Sequence, residues 1–426
     1  MIPILTPEEV RAVDAAAPEP VEVLIERAGA AVARAALELL GGGYGRRVVV
    51  VAGKGNNGAD GRAAAARLRR RGVRVEVLDA ADLPARLPAC DLVLDAAYGT
   101  GFRGTWEPPP APAPVLAVDV PTGEAWQAVL TVTFQALKPA HLFGRSAELS
   151  GEVEVHDIGL DVSSAHAHVV EDADVDLPDR PRETHKWRSA VWVVAGSPGM
   201  TGAAELAARG AQRAGAGYVR LSTPGGEPSG PLEVVATSLP ATGWTLDDVD
   251  RFRALVVGPG LGRASDADVR RLVADAAVPV VVDGDGLTAL AGDLRVSPSC
   301  VLTPHDGEYE RLVGEPPGDD RLAAARRLAE RAGCVALLKG STTVVAEPGG
   351  RVLVSAAGDA RLATAGSGDV LAGVIAALLA QGVPPLEAAA WGAHLHGRAA
   401  ALGPERGLVA GDLPNLLPAA IADLEA

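Results

Sequence analysis

The chain has 426 residues, 48% of them hydrophobic and 22% charged, with 39 Lys and Arg against 54 Asp and Glu for a net charge of −15. That length exceeds one ordinary hydrophobic core and suits two domains, and the composition is globular rather than disordered. So acidic a surface excludes general binding to phosphate backbones, though not a local basic pocket.

Thr6-Pro7-Glu8-Glu9 reads as a capping box with Pro at the first helical position, and nothing at Met1 reads as a signal peptide. Strand-like runs follow at Val48 to Ala52, Val73 to Leu78, Asp91 to Ala96, Val115 to Val120, Leu130 to Phe134 and Gly151 to Ile158. They alternate with Ala-rich helical patterns, including Ala63 to Arg71, as in parallel α/β folds. The acidic, proline-bearing stretch from Val170 to Arg182 lacks a helical period and reads as a linker. A second series of strands runs through Val191 to Ala195, Ala254 to Val257, Val278 to Asp283, Val335 to Lys339 and Val352 to Ser355. Two long helices, Ser367 to Ala380 and Leu386 to Leu402, close it. The expected domains are 1–170 and 183–426, with 171–182 between them. Cys90, Cys300 and Cys334 lack metal-ligand spacing and cannot all pair, which points to a reducing cytoplasm. The apolar stretch Val370 to Ala380 is too short to span a membrane. Only four basic residues are lysine (Lys54, Lys138, Lys186 and Lys339), so each is a compact point charge in an arginine-rich background.

In the first half, Gly53-Lys54-Gly55-Asn56-Asn57-Gly58-Ala59-Asp60-Gly61 follows the first strand. Read minimally it is GxGxxG, with Asp79 where a ribose-binding acid would sit, the pattern of a dinucleotide-binding dehydrogenase. That reading leaves Asn-Asn-Gly-x-Asp unexplained. It also leaves two further strand ends unexplained, Asp95 before Tyr98-Gly99-Thr100-Gly101-Phe102-Arg103-Gly104 and Asp119 before Val120-Pro121-Thr122-Gly123. Neighbouring strands of a parallel sheet end at one crevice, where amide, carboxylate and hydroxyl oxygens would suit a hard cation.

These three motifs, with Thr131-Val132-Thr133-Phe134 and Lys138, resemble the NAD(P)H-hydrate epimerase domain over about residues 1–165. The resemblance implies a Rossmann-like three-layer domain interconverting R and S forms of nicotinamide cofactors hydrated at ring carbon 6. It implies K⁺ bound by Asn57, Asp95 and Thr122. It implies hydrated cofactor held by Asn56, Asn57, Gly58, Ala59 and Asp60, by Gly99, Thr100, Gly101, Phe102, Arg103, Gly104 and Thr105, and by Asp119 as the acid–base group. Ala59 replaces a usual glycine, and the segment after Gly123 is shorter than in that family.

In the second half, Thr364-Ala365-Gly366-Ser367-Gly368-Asp369 opens a helix, where free N–H groups and the dipole favour an anion. Asp369 beside such a loop is placed to take a proton from a hydroxyl in phosphoryl transfer. Lys339-Gly340-Ser341-Thr342-Thr343 follows a buried strand and could meet a nucleotide phosphate. Thr303-Pro304-His305-Asp306-Gly307-Glu308, Gly258-Pro259-Gly260-Leu261-Gly262, Val282-Asp283-Gly284-Asp285 and the Gly196 to Ala203 loop also end strands, describing one rim.

Together these motifs resemble the ADP- or ATP-dependent NAD(P)H-hydrate dehydratase domain, which has the ribokinase-like fold, over about residues 183–426. The resemblance implies that Lys339, Gly340, Ser341, Thr342, Thr343 and Gly368 bind the adenine nucleotide. Ala203, Gly260, His305 and Asp369 would contact the hydrated cofactor, with Mg²⁺ offsetting phosphate charge. Trp187 stands where a glycine usually follows His-Lys, and Asp306 replaces a usual proline. The whole chain then reads as a cytoplasmic metabolite-repair enzyme, expected to be homo-oligomeric, binding neither membrane nor nucleic acid. The alternative is a ribokinase-like small-molecule kinase with a catalytically silent N-terminal binding module.

Overall fold

The computed structural model describes residues 1–227 and 230–424. Contacts divide it into two units, one spanning Ile2–His166 and one beginning at Ala167.

The N-terminal unit is built on a parallel sheet in the order Arg74–Asp79, Arg47–Ala52, Leu92–Ala96, Val115–Val118, Leu130–Phe134, Glu152–His156. Its central strands are continuous Val/Leu/Ala runs because both faces are covered. The helices Val21–Leu40 and Asn56–Arg70 pack on one face through Ala31, Val32, Ala64, Ala65 and Leu68. The other face is covered by irregular chain carrying Ala80, Leu87, Trp106 and Trp126. Pro84, Pro88 and the run Pro108 to Pro114 deny those segments a helix, so the third layer expected of this domain is loop. The helix expected from Ala63 begins earlier, at Asn56, with Gly55 extended at its N-cap. Asn56 to Asp60 therefore lie in its first turns rather than in a preceding loop.

In the second unit the strand order is Ala167–Val169, Val352–Ser355, Thr343–Ala346, Val335–Leu338, Cys300–Leu302, Val280–Val282, Ala254–Val257, Ala190–Val194, Tyr218–Pro224, Val235–Leu239. All pairs are parallel except the two that flank Thr343–Ala346. The helices Thr201–Arg213, Ser367–Ala380 and Pro385–Ala401 cover one face through an Ala-rich core. Alternate strand residues such as Trp192, Leu255, Val282 and Leu302 are also buried, so this sheet too is covered on both faces.

The segment expected as a linker is packed into this second unit. Ala167–Val169 pairs with Val352–Ser355, and Val170 is buried. Val175 and Leu177 lie against the core, and Asp172 bonds His394 at 2.7 Å. The division falls before Ala167 because apolar residues inside the acidic stretch carry it onto the second domain.

Candidate active sites

The carboxyl ends of the N-terminal unit's strands open on a cavity of about 730 Å³ lined by Asn56, Asn57, Asp60, Gly99 to Arg103, Asp119 and Lys138, with Asp14 at one side. Asp119 follows its strand with a φ of 69°, a left-handed conformation unusual for a non-glycine residue and the kind of strain that gathers at functional sites. Several bonds hold it there. Its Oδ1 lies 2.9 Å from Lys138 Nζ and accepts from Thr133 Oγ1 at 3.1 Å, while Oδ2 accepts from the Thr100 amide at 3.2 Å. His141 supports the backbone: its Nδ1 accepts from the Lys138 amide at 3.0 Å, so Nε2 carries the proton donated to the Asp119 carbonyl at 2.7 Å. Burial pushes the imidazole down to about 4, so it works as a neutral bridge. Burial pushes the Asp119 carboxyl up, but Lys138, with the Thr100 amide adding to it, holds the group below the usual carboxylate range. A Cβ on Gly99 would approach Asp119 Oδ2 to 3.1 Å and Asn57 Cβ to 3.5 Å, so this position has little room for a side chain.

Asp95, on the strand beside Arg47–Ala52, is buried and accepts from the Thr122 amide at 2.9 Å, Thr122 Oγ1 at 2.7 Å and the Ala97 amide at 3.3 Å. Burial pushes its carboxyl up to about 6 against those donors. Nearby, both Asn57 Oδ1 and Nδ2 are buried without a partner among the described residues. Such an orphan amide is costly unless something satisfies it. Its oxygen, with the carboxylate and hydroxyl of Asp95 and Thr122, is a donor set that fits a hard cation.

In the second unit, Ser367–Ala380 starts at Gly366, whose φ of 92° turns the chain into the helix. Lys339 follows the strand Val335–Leu338 and projects its Nζ to Asp283 Oδ1 at 2.8 Å and Glu308 Oε2 at 3.6 Å. A Cβ on Gly368 would sit 3.3 Å from that Nζ, which joins the lysine to the helix start. Burial opposes the charge on Lys339, but Asp283, Glu308 and Asp369 raise its pKa above the ordinary value. Asp369 is pushed up to about 7 by burial first and then by Asp283, with Lys339 pulling the other way. A carboxylate near 7 is well matched to general-base work at neutral pH. Asp283 Oδ1 also accepts from Thr303 Oγ1 at 2.8 Å, and a Cβ on Gly368 would lie 3.7 Å from Asp283 Oδ2, so that oxygen faces the helix start.

The other expected contacts fall on the same rim. Ser197 Oγ donates to the Gly260 carbonyl at 2.9 Å, and a Cβ on Gly260 would meet Ala203 Cβ at 3.0 Å, so the two lie side by side. His305 is the N-cap of Asp306–Val313: its Nδ1 accepts from the Gly307 and Glu308 amides at 3.0 and 3.3 Å, and Glu308 returns a bond to its amide at 2.9 Å. His305 Nε2 then carries the proton and lies 3.6 Å from Glu308 Oε1, in a side chain that is about half exposed. Gly340 to Thr342 form the turn of an antiparallel hairpin, and Thr343 begins its return strand. The residues that sequence reasoning did not assign are Asp283, Glu308 and His141. The His-x-x-Glu spacing was a legible capping signal for Glu308; nothing local marked His141, whose partner is 22 residues away.

The second unit's strand order, with a glycine-opened helix over a buried Lys–Asp pair, defines a ribokinase-like domain. It superimposes on a ribokinase-like superfamily protein from Enterococcus faecalis with a TM-score of 0.52 at 21% identity, covering 61% of this chain and 96% of that one. Against the Bacillus subtilis ADP/ATP-dependent NAD(P)H-hydrate dehydratase co-crystallized with ATP/Mg²⁺, the TM-score is 0.51 at 29% identity, covering 58% and 94%. Residues 191–422 match the family model described as NAD(P)H-hydrate dehydratase, and residues 21–90 that of the YjeF-related protein N-terminus. The bifunctional NAD(P)H-hydrate repair enzyme Nnr of Mycobacterium tuberculosis is 41% identical over 82% of each chain. That of Salinibacter ruber is 35% identical over 99% of this chain and 96% of its own. The chain belongs to the bifunctional NAD(P)H-hydrate repair enzymes, uniting an NAD(P)H-hydrate epimerase domain with an ADP/ATP-dependent NAD(P)H-hydrate dehydratase domain.

Proposed function

We propose that the second unit dehydrates the S form of hydrated NADH and NADPH through Asp369, and that the first supplies that form from the R form through Asp119. The observation carrying the dehydratase assignment is the cluster of Lys339, Asp283, Glu308 and Asp369 at the glycine-opened helix, with Asp369 titrating near 7. Hydroxide is a poor leaving group, so the 6-hydroxyl is first phosphorylated. Asp369 takes the hydroxyl proton as the oxygen attacks the terminal phosphoryl group of ADP or ATP, and the bond to the bridging oxygen breaks to release AMP or ADP. Lys339 and the amides at Gly366 to Gly368 stabilise the charge that develops on that group. Loss of phosphate with a proton from the neighbouring ring carbon then restores the double bond. Lys339 to Thr343 and Gly368 hold the nucleotide; Ala203, Gly260 and His305 Nε2 line the hydrated cofactor. When bound, Mg²⁺ offsets phosphate charge, and Asp283 Oδ2 would hold it beside the phosphates.

In the first unit, Asn56 to Asp60 and Gly99 to Thr105 bind the hydrated cofactor. K⁺ held by Asn57, Asp95 and Thr122 would satisfy the orphaned Asn57 Oδ1 and orient the strand ends. The enzyme is cytoplasmic and homo-oligomeric in this reading, consistent with three free cysteines and no helix among the described residues long and apolar enough to cross a membrane. The test is incubation with mixed hydrate epimers, nucleotide and Mg²⁺, following nicotinamide absorbance and phosphate together. Restored absorbance with stoichiometric inorganic phosphate is expected. A released phosphoester with no restored absorbance would instead make the second unit a small-molecule kinase.

A further inference from the structure

Asp60 stands on the helix Asn56–Arg70, only 8% exposed, on the wall of the cavity that Asp119 also lines. Among the described residues no group hydrogen-bonds its carboxyl. Asp119 is the opposite case, with Lys138, Thr133 and the Thr100 amide all engaged on its oxygens. Among the carboxyl groups lining this cavity, Asp60 and Asp119 stand in contrasting settings, one bare and one saturated with donors. Contrasting carboxyl environments separate an acid from a base.

We infer that Asp60 is the proton donor and Asp119 the proton acceptor of a dehydrative epimerisation at ring carbon 6, an inference that rests on the epimerase assignment of this unit. Asp60 gives its proton to the 6-hydroxyl as the carbon–oxygen bond breaks, and that bond's electron pair leaves with the oxygen as water. The lone pair of ring N1 meanwhile forms an N1=C6 double bond. A water then adds to carbon 6 from the opposite face, the N1=C6 pair returns to N1, and the surplus proton passes to Asp119. Proton exchange through solvent restores both groups, and the reverse reaction exchanges their roles. Inverting glycoside hydrolysis divides its acid and base in the same way.

The surrounding charges agree with this division. On Asp60's own helix, Arg62 is turned to the Gly53 carbonyl at 2.7 Å and Arg67 to Glu26 of the neighbouring helix at 2.8 Å. Pro7–Ala16 contributes Asp14 and Arg11 to the cavity wall, Glu19 lies on it paired with Arg27 at 2.6 Å, the Gly99 loop contributes Arg103, and the strand ends contribute Asp119 and Lys138. Asp95 and the neutral His141 lie behind those strand ends. Lys138 is bound to Asp119 and so favours ionisation there. Burial, then the Asp119 and Asp14 charges, push the Asp60 carboxyl up to about 8, so it carries its proton at neutral pH and loses it as the pH rises.

The test follows epimerisation by the full chain in H₂¹⁸O, corrected for the uncatalysed reaction, with wild type, Asp60→Asn and Asp60→Glu. Inversion is expected to carry solvent oxygen into the 6-position. Asp60→Asn should lose kcat by about a hundredfold, the scale of general-acid loss, with KM within about threefold, since the amide keeps shape and a donor. Wild-type kcat should decline above about pH 8, a limb absent from Asp60→Asn. Asp60→Glu should recover at least part of the lost kcat, separating acid chemistry from a folding defect. Inversion without oxygen exchange, or Asp60→Asn at wild-type kcat, would overturn the proposal while leaving the epimerase assignment standing. A wild type no faster than the uncatalysed reaction would remove that assignment and the proposal with it.

Discussion

Asp369→Asn keeps the shape of the side chain and removes its charge, and its consequences can be worked from the site. With the carboxyl titrating near 7, about one-tenth is ionised at pH 6 and about nine-tenths at pH 8. Wild-type dehydration should therefore rise roughly tenfold between those values, and the variant should be slower by at least about a hundredfold with that rise gone. Stability should move in the opposite direction. A carboxyl held above its unfolded value of 3.8 loses native-state stability as pH rises through the window from 3.8 to about 7, because the folded form binds the extra proton. The ceiling is about 4 kcal/mol for a shift of roughly three units, trimmed because the group is partly exposed. Asp369→Asn should thus resist denaturant better than wild type at pH 8, with the gain shrinking towards pH 4. Steady-state recovery of nicotinamide absorbance across pH, paired with urea unfolding at both ends, checks the two effects. A variant with wild-type turnover, or an unchanged pH profile, would remove Asp369 as the base.

Asp95→Ala should abolish epimerisation while leaving S-epimer dehydration within about threefold of wild type, because the two sites belong to different units and share no partners; an unchanged slow phase in absorbance recovery from mixed epimers would sink the cation site. Separating the units between His166 and Ala167 should give a soluble C-terminal fragment active on the S epimer, whereas cutting within 171–182 should destabilise it by exposing Val170 and unpairing Asp172; equal yields and melting temperatures from the two cuts would refute that boundary. Asp172→Ala should lower stability by about 2 kcal/mol by leaving buried His394 unpaired, read as a shift in urea midpoint at constant slope.

Local signals were strongest where the chemistry sits at a strand end or a helix start. The glycine-opened helix at Ser367 runs to Ala380 as its apolar pattern indicates, and the capping box at Thr6 forms with both bonds in place. Lys339 was conspicuous by composition, and its strand is followed by the expected turn. Legibility failed where a residue's role depends on a distant partner. Val170, Val175 and Leu177 are too sparse to show a period, yet they bind the acidic stretch to the second domain. His141 acts through Asp119, and Asp283 through Lys339, pairings that only the folded sheets bring together. Asp60 stood in a motif expected to hold the hydrated cofactor, but its lack of a hydrogen-bond donor among the described residues could not be read from that motif.

The two units place a lysine beside acidic groups to opposite ends, and the difference explains why one carboxylate is a ready base and the other a tunable one. In the first, Lys138 bonds the proposed acid–base carboxylate itself and keeps Asp119 ionised despite burial. In the second, Lys339 is spent on Asp283 and Glu308, so burial first and then the Asp283 charge outweigh the lysine's pull and hold Asp369 near 7. An incoming nucleotide phosphate would compete for Lys339, because it is the lysine that lies against Gly368. Nucleotide binding would weaken Lys339's hold on the acids and add negative charge, raising Asp369 further unless Mg²⁺ offsets the phosphates. The alkaline shift of the dehydration profile as Mg²⁺ is lowered below nucleotide measures that coupling directly; a profile indifferent to Mg²⁺ would mean that Asp369 does not sense the phosphates.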